Sequence, residues 1–360
     1  MKKGWIFILL MLLLLPIPVY AEEPLPEVSI VEEELGDEAR EISGELKTDG
    51  SYDVAGAIGR LIRKGKAEAE NRLRVEMKEM VKIVAIALIC AVVESICPDN
   101  RSSELVSICA CAAVCAAVTG TVDSFAGQMT DTIQTICDYS HAVLPAVYTA
   151  AAVSGAVVSA GASYAAVLIG LNILMEVMRR LALPMIYAYL ALCISRSIYP
   201  NAVLNSVISV LKWVTVTGIT VLTMGISAYI GMTGALTGPA DAAAVKGAKL
   251  VISNALPLVG GILSDAASVV LSSAAVIKNA AGVFALIGIC TLCLAPFIAV
   301  GMKLLLFRLC AAVASALEGK RLAMLLGDLS GAFGMMLGVM GCLAIMLFVS
   351  FMAAIRTVSL

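Results

Sequence analysis

Phe333-Gly-Met-Met-Leu-Gly-Val-Met-Gly-Cys-Leu-Ala-Ile-Met-Leu-Phe-Val-Ser-Phe-Met-Ala-Ala-Ile355 runs for 23 residues without one charged side chain. As an α-helix it reaches about 35 Å, enough to cross a hydrocarbon layer of about 30 Å. A soluble core helix does not need such a length of unbroken apolar sequence, so this stretch reads as the last span of a membrane protein.

Upstream the same reading repeats. Ile83 to Cys97 reads as a short first span that contains Glu94; Pro98-Asp99-Asn100-Arg101 turns the chain, and Leu105 to Val122 returns. Small residues dominate this pair, as in Cys109-Ala-Cys111-Ala-Ala-Val-Cys115, and they allow close helix packing in lipid. Asp123 to His141 carries three aspartates and no lysine or arginine, which suits the outer side of the membrane. Ala142 to Met178 is too long for one straight span and needs a break, for which Pro145, Gly155, Gly161 and Gly170 are candidates. Arg179-Arg180 marks a cytoplasmic end, followed by spans over Leu181 to Ile198, Val214 to Leu236 and Ala280 to Met302. If the basic groups Lys246/Lys249 and Lys303/Arg308/Lys320/Arg321 are all cytoplasmic, the chain between them crosses an even number of times, so Ser253 to Lys278 spans too. The expected fold is therefore all-α and polytopic, with six to eight transmembrane helices over residues 83–360.

Composition agrees. Of 360 residues 60% are hydrophobic and 14% charged, and the mean hydropathy is +0.96. Soluble domains are about 45–50% apolar and about 25% charged. The charge is also unevenly placed: 26 of the 52 acidic and basic residues lie between Glu22 and Lys82. Before them, Lys2-Lys3, an apolar run from Trp5 to Leu15, Pro16, Pro18 and the small residues Val19 and Ala21 form a secretory signal over residues 1–21. An uncleaved anchor is the alternative, and both readings put Glu22 on the outer side.

Residues 22–56 are acidic, with prolines and glycines and few large apolar side chains, and read as a flexible exported tether. Residues 57–82 read as an amphipathic helix before the membrane: Ile58, Leu61, Ile62, Ala69, Leu73, Met77, Met80 and Val81 recur at three- and four-residue spacing, and Val84 continues the stripe. Such a helix either lies on an anionic bilayer or docks on a partner helix.

Chemistry is sparse. His141 stands alone, nucleotide-binding glycine motifs are missing, and Cys290-Thr-Leu-Cys293 lies in an apolar span without a second pair. No enzymatic activity, cofactor, metal or nucleic-acid partner is expected. The remaining candidates are ionisable residues in hydrocarbon, each costing about 2.5–3.5 kcal/mol at a helix centre unless paired or hydrated. Glu94, Glu176, Arg196, Asp265 and Lys278 qualify by position. Asp265 is the best placed, since Ser268, Ser272 and, less directly, Ser273 share its helical face; that stripe either lines water or bonds a neighbouring helix.

The stretch Leu256 to Ile287, LPLVGGILSDAASVVLSSAAVIKNAAGVFALI, resembles the stage III sporulation protein AE family of endospore-forming bacteria. Asp265, Ser272, Ser273, Lys278 and Asn279 match that family's motif, with no catalytic role to carry over. The resemblance implies a multi-pass subunit, in the mother-cell membrane around the forespore, of a channel or secretion complex joining the two cells. It implies the other stage III proteins AA to AH and stage II protein Q as partners, residues 22–82 in the intermembrane space, and a need for the complex in late forespore gene expression. A stand-alone secondary transporter and a scaffold that anchors ring proteins are the rival expectations.

Overall fold

The computed structural model describes residues 54–96, 100–153, 156–255, 260–317 and 319–356, with most side chains of residues 234–285 outside that description. Among the described residues the chain is all-helical. Its α-helices are α1 (Val54–Ile96), α2 (Asn100–Val153), α3 (Val157–Val177), α4 (Leu183–Ile198), α5 (Ala202–Ala255), α6 (Gly260–Ala316) and α7 (Lys320–Arg356), with a π-helical turn at Met178–Ala182 between α3 and α4. Among the described residues five segments are long and apolar enough to cross a membrane: Ser102–Gly120, Val157–Ile198, Ala202–Thr233, Leu286–Ala316 and Lys320–Ile355. The expected signal and residues 22–53 of the expected acidic tether lie outside the described residues, and the tether's last three residues, 54–56, are already helical as the start of α1.

The α6–α7 hairpin is the centre of the packing, and α7 also touches α2, α3, α4 and α5. The reason is legible in its side chains. Leu322, Leu325, Leu329, Ala332, Met336, Val339, Leu343, Met346 and Phe351 are all buried, and they recur at three-, four- and five-residue intervals down one stripe. Close approach is helped on α3 by Gly170, where a Cβ would stand 2.4 Å from Ile226 Cγ2 of α5 and 3.2 Å from Met346 Cε of α7. Hydroxyls in the apolar helices bond back to their own backbone: Thr215 donates to the Leu211 carbonyl, Thr223 to Ile219 and Ser350 to Met346. Tyr148 of α2 donates across the bundle to the Ser350 carbonyl of α7.

The helices are longer than the spans read from the sequence. Asp123 to His141, expected to link two spans, is the middle of α2, which has 54 residues and reaches roughly 80 Å. Nor does the chain reverse at Arg179-Arg180. The helix continues through them into α4, because the π-helical turn, closed by the Leu183 N–H to the Met178 carbonyl, absorbs the missing donor and the bulk of Pro184. Ser253–Lys278 and Ala280–Met302, expected as separate spans, both fall largely within the continuous α6. The break that follows Ala142 falls after Val153, beside the expected Gly155, and Pro145 sits inside α2.

The amphipathic helix packs on another helix of the same chain. It is continuous with the first apolar segment as α1, and it lies along α6: a Cβ on Gly65 would stand 3.4 Å from the Leu294 methyls. The face turned inward takes only part of the apolar stripe of the sequence: Ile58, Leu61, Ala69, Met80 and Val84 are half-buried, and Met80 and Val84 pack on the core. Glu76, Ile83, Ala87 and Cys90 are buried, whereas Ile62, Leu73, Met77 and Val81 are exposed.

Candidate functional site

The inward turn of α1 is explained by Lys303. This lysine lies in the middle of the apolar Leu286–Ala316 segment and is 2% exposed. A buried ammonium needs a counter-charge. Glu76 and Glu79, three residues apart on α1 and so on one face, supply two. Lys303 Nζ lies 2.6 Å from Glu76 Oε2, off the axis of a directional hydrogen bond, so that oxygen is held by charge; Nζ donates its hydrogen bond to Glu79 Oε2. The same ammonium stands 5.6 Å from the centroid of Phe125 on α2. Phe125 meets Phe333 edge-on at 5.4 Å, and Phe333 stacks on Phe307 at 5.3 Å. One cation thus ties α1, α2, α6 and α7 together.

A second, partly buried pair joins Arg196 of α4 to Asp328 of α7, and Arg196 also donates to Asn205 Oδ1 of α5 at 3.1 Å. Nearer the helix ends, Arg321 of α7 bonds Glu104 of α2 and the Ile198 carbonyl of α4. Glu176 is satisfied locally by Arg179 and Arg180. His141 of α2 stands 3.3 Å from Asn172 Oδ1 of α3, a contact between helices. Partial burial raises the Cys137 thiol above its usual pKa, with Asp138 adding to the shift and Arg179 opposing it. Cys290 and Cys293 are free thiols within α6.

These charged groups act as clamps between helices. Their geometry suits holding a bundle in register.

Of the residues singled out in the sequence, Arg196 and Glu176 are paired as intramembrane charges should be. Asp265, Ser268, Ser272, Ser273, Lys278 and Asn279 lie within α6, and Glu94 within α1; their side chains are outside the described residues. Lys303, Glu76, Glu79 and Asp328 were not singled out. Lys303 reads as a cytoplasmic flank and Glu76 and Glu79 as part of an exported polar face, yet the three touch. They share one level of the bundle, so these two side assignments are incompatible. The available signal was Lys303 itself, a charge in the middle of a largely apolar segment, which by hydrocarbon energetics demands a partner.

The sequence pattern of the family described as stage III sporulation protein AE matches residues 40–357. Among curated proteins, the stage III sporulation protein AE of Bacillus subtilis (strain 168) is 24% identical over 224 residues, covering 61% of this chain and 55% of that protein. The matched part is thus little more than half of the relative's length. No solved structure matches the chain.

Proposed function

Because the chain belongs to the stage III sporulation protein AE family, which implies a role in sporulation, we propose that it is a non-enzymatic membrane subunit of the channel or secretion complex joining mother cell and forespore. The carrying observation is the family match across residues 40–357 of a chain whose described residues include five segments apolar enough to cross a membrane. In this reading the protein sits in the mother-cell membrane around the forespore and assembles with the other stage III proteins AA to AH and stage II protein Q. Its paired internal charges support a fixed structural subunit, since among the described residues Lys303 and Arg196 are each spent on a helix-to-helix contact. Residues 22–82 face the intermembrane space, which by the contact of Glu76 and Glu79 brings Lys303 to that side of the bundle.

The test is disruption of the gene in the native host, with heat-resistant spores counted and a late forespore-specific reporter followed, and the intact gene restored in trans. The expected result is loss of both and recovery on complementation. Unchanged sporulation overturns the proposal. Substrate flux in liposomes by the purified chain alone, with no stage III protein co-purifying from sporulating cells, replaces it with the transporter reading.

A further inference from the structure

We propose that the cleft between α5, α6 and α7 binds the phosphate headgroup of an anionic membrane lipid. The cleft holds about 580 Å³ and is lined by Lys212 and Val216 from α5, Leu304 and Arg308 from α6, and Gly331 and Met335 from α7. That volume is within the usual range of ligand clefts, about 300–1,000 Å³.

Three observations point to this occupant. The first is charge. Lys303, Arg196 and Arg321 are each matched to a carboxylate, whereas Lys212 and Arg308, both exposed, form no ion pair among the described residues. Among the described residues the cleft therefore carries two unmatched positive charges. The second is the wall. Ser330, the hydroxyl in the lining, already donates to the Leu304 carbonyl at 3.2 Å, so the remaining surface is apolar side chain and glycine. Two cations over an apolar wall suit an amphiphile, with phosphate on Lys212 and Arg308 and acyl chain along Val216, Leu304 and Met335. The third is depth. Trp213, beside Lys212, is 66% exposed on a helix apolar enough to cross the membrane. Exposed tryptophan on a spanning helix belongs at the headgroup level, and basic pockets between spanning helices take anionic headgroups there.

The test uses the full chain purified in mild detergent, with lipid retention read by native mass spectrometry. Phosphatidylglycerol is retained over phosphatidylcholine by about tenfold, and Lys212→Gln/Arg308→Gln reduces that preference to about twofold or less, on the scale of roughly one tenfold step for two surface charges. Lys66→Gln, which removes an exposed lysine of α1, leaves the preference intact. A photoactivatable phosphatidylglycerol labels peptides around Lys212, Arg308 and Gly331 in the unmodified chain, a readout independent of whether the variants fold. Equal retention of the two lipids, an undiminished preference in the double variant, or labelling elsewhere overturns the proposal. Displacement of the lipid by inorganic phosphate alone also overturns it, in favour of a soluble phosphate-bearing ligand.

Discussion

Helices α1 and α7 differ in what they turn inward. On α7 the buried stripe is the apolar stripe, from Leu322 through Phe333 and Leu343 to Phe351. On α1 the buried face includes Glu76, while Ile62 and Val81 are 65% and 62% exposed. The inward side of α1 also carries Ile83, Ala87 and Cys90, so it mixes a carboxylate with apolar side chains. An apolar side chain facing lipid loses little, whereas a lysine buried without a partner is costly. The difference teaches that Lys303 sets the orientation of α1, and that hydropathy sets the orientation of α7.

Removing Lys303 should break this contrast most severely. Lys303→Met leaves Glu76 and Glu79 facing each other in the bundle without a counter-charge, and breaking a buried pair in this way costs about 3–5 kcal/mol. The expected outcome is a large fall in thermal stability of the detergent-purified chain and new protease cleavage within α1. The triple variant Lys303→Met/Glu76→Gln/Glu79→Gln should recover most of the loss, because no charge is then buried. If Lys303→Met is as stable as the unmodified chain, α1 is not held by this cluster.

Next in size is a paired comparison of apolar truncations. Phe333 is 1% exposed and touches both Phe125 and Phe307, so Phe333→Ala should destabilise by about 3–5 kcal/mol through lost contacts and a residual cavity. Val81→Ala, on the exposed face of α1, should stay within about 0.5 kcal/mol. Thermal unfolding of both variants in the same detergent measures the contrast. Equal effects would mean that the outer face of α1 is packed as tightly as α7.

The same two helices show what could be read from sequence. The α7 span was legible, because one long uncharged run suffices to identify it. So was the chain break near Pro98, where α1 ends at Ile96 and α2 begins at Asn100. The family was legible in Leu256 to Ile287. The orientation of α1 was not, because it depends on a pairing between Glu79 and Lys303 across 224 residues, and periodicity carries only local information. The continuity of the helix through Arg179-Arg180 was hidden for a related reason. An arginine pair marks a membrane edge only if its charge needs water, and here Glu176, one turn away, pairs with both arginines and halves their net charge.

The smallest effect should differ in sign between α1 and the core around α7. Glycine in a helix interior is less favourable than alanine by about 0.8–1.0 kcal/mol, so filling a glycine stabilises wherever a methyl fits. On α1 it fits: the new Cβ of Gly65→Ala would meet the Leu294 methyls at 3.4 Å, an ordinary van der Waals distance. At Gly170 it does not, because Ile226 Cγ2 lies 2.4 Å away on a β-branched side chain with little freedom to move, and Met346 of α7 closes the other side at 3.2 Å. Overpacking of this kind costs about 1–3 kcal/mol, which exceeds the helix-propensity gain. Gly65→Ala should therefore raise the unfolding temperature slightly and Gly170→Ala should lower it. Should Gly170→Ala prove neutral, the α3, α5 and α7 contact can relax by the width of a methyl group, and the rigidity assigned to the α7 core would be confined to its aromatic cluster.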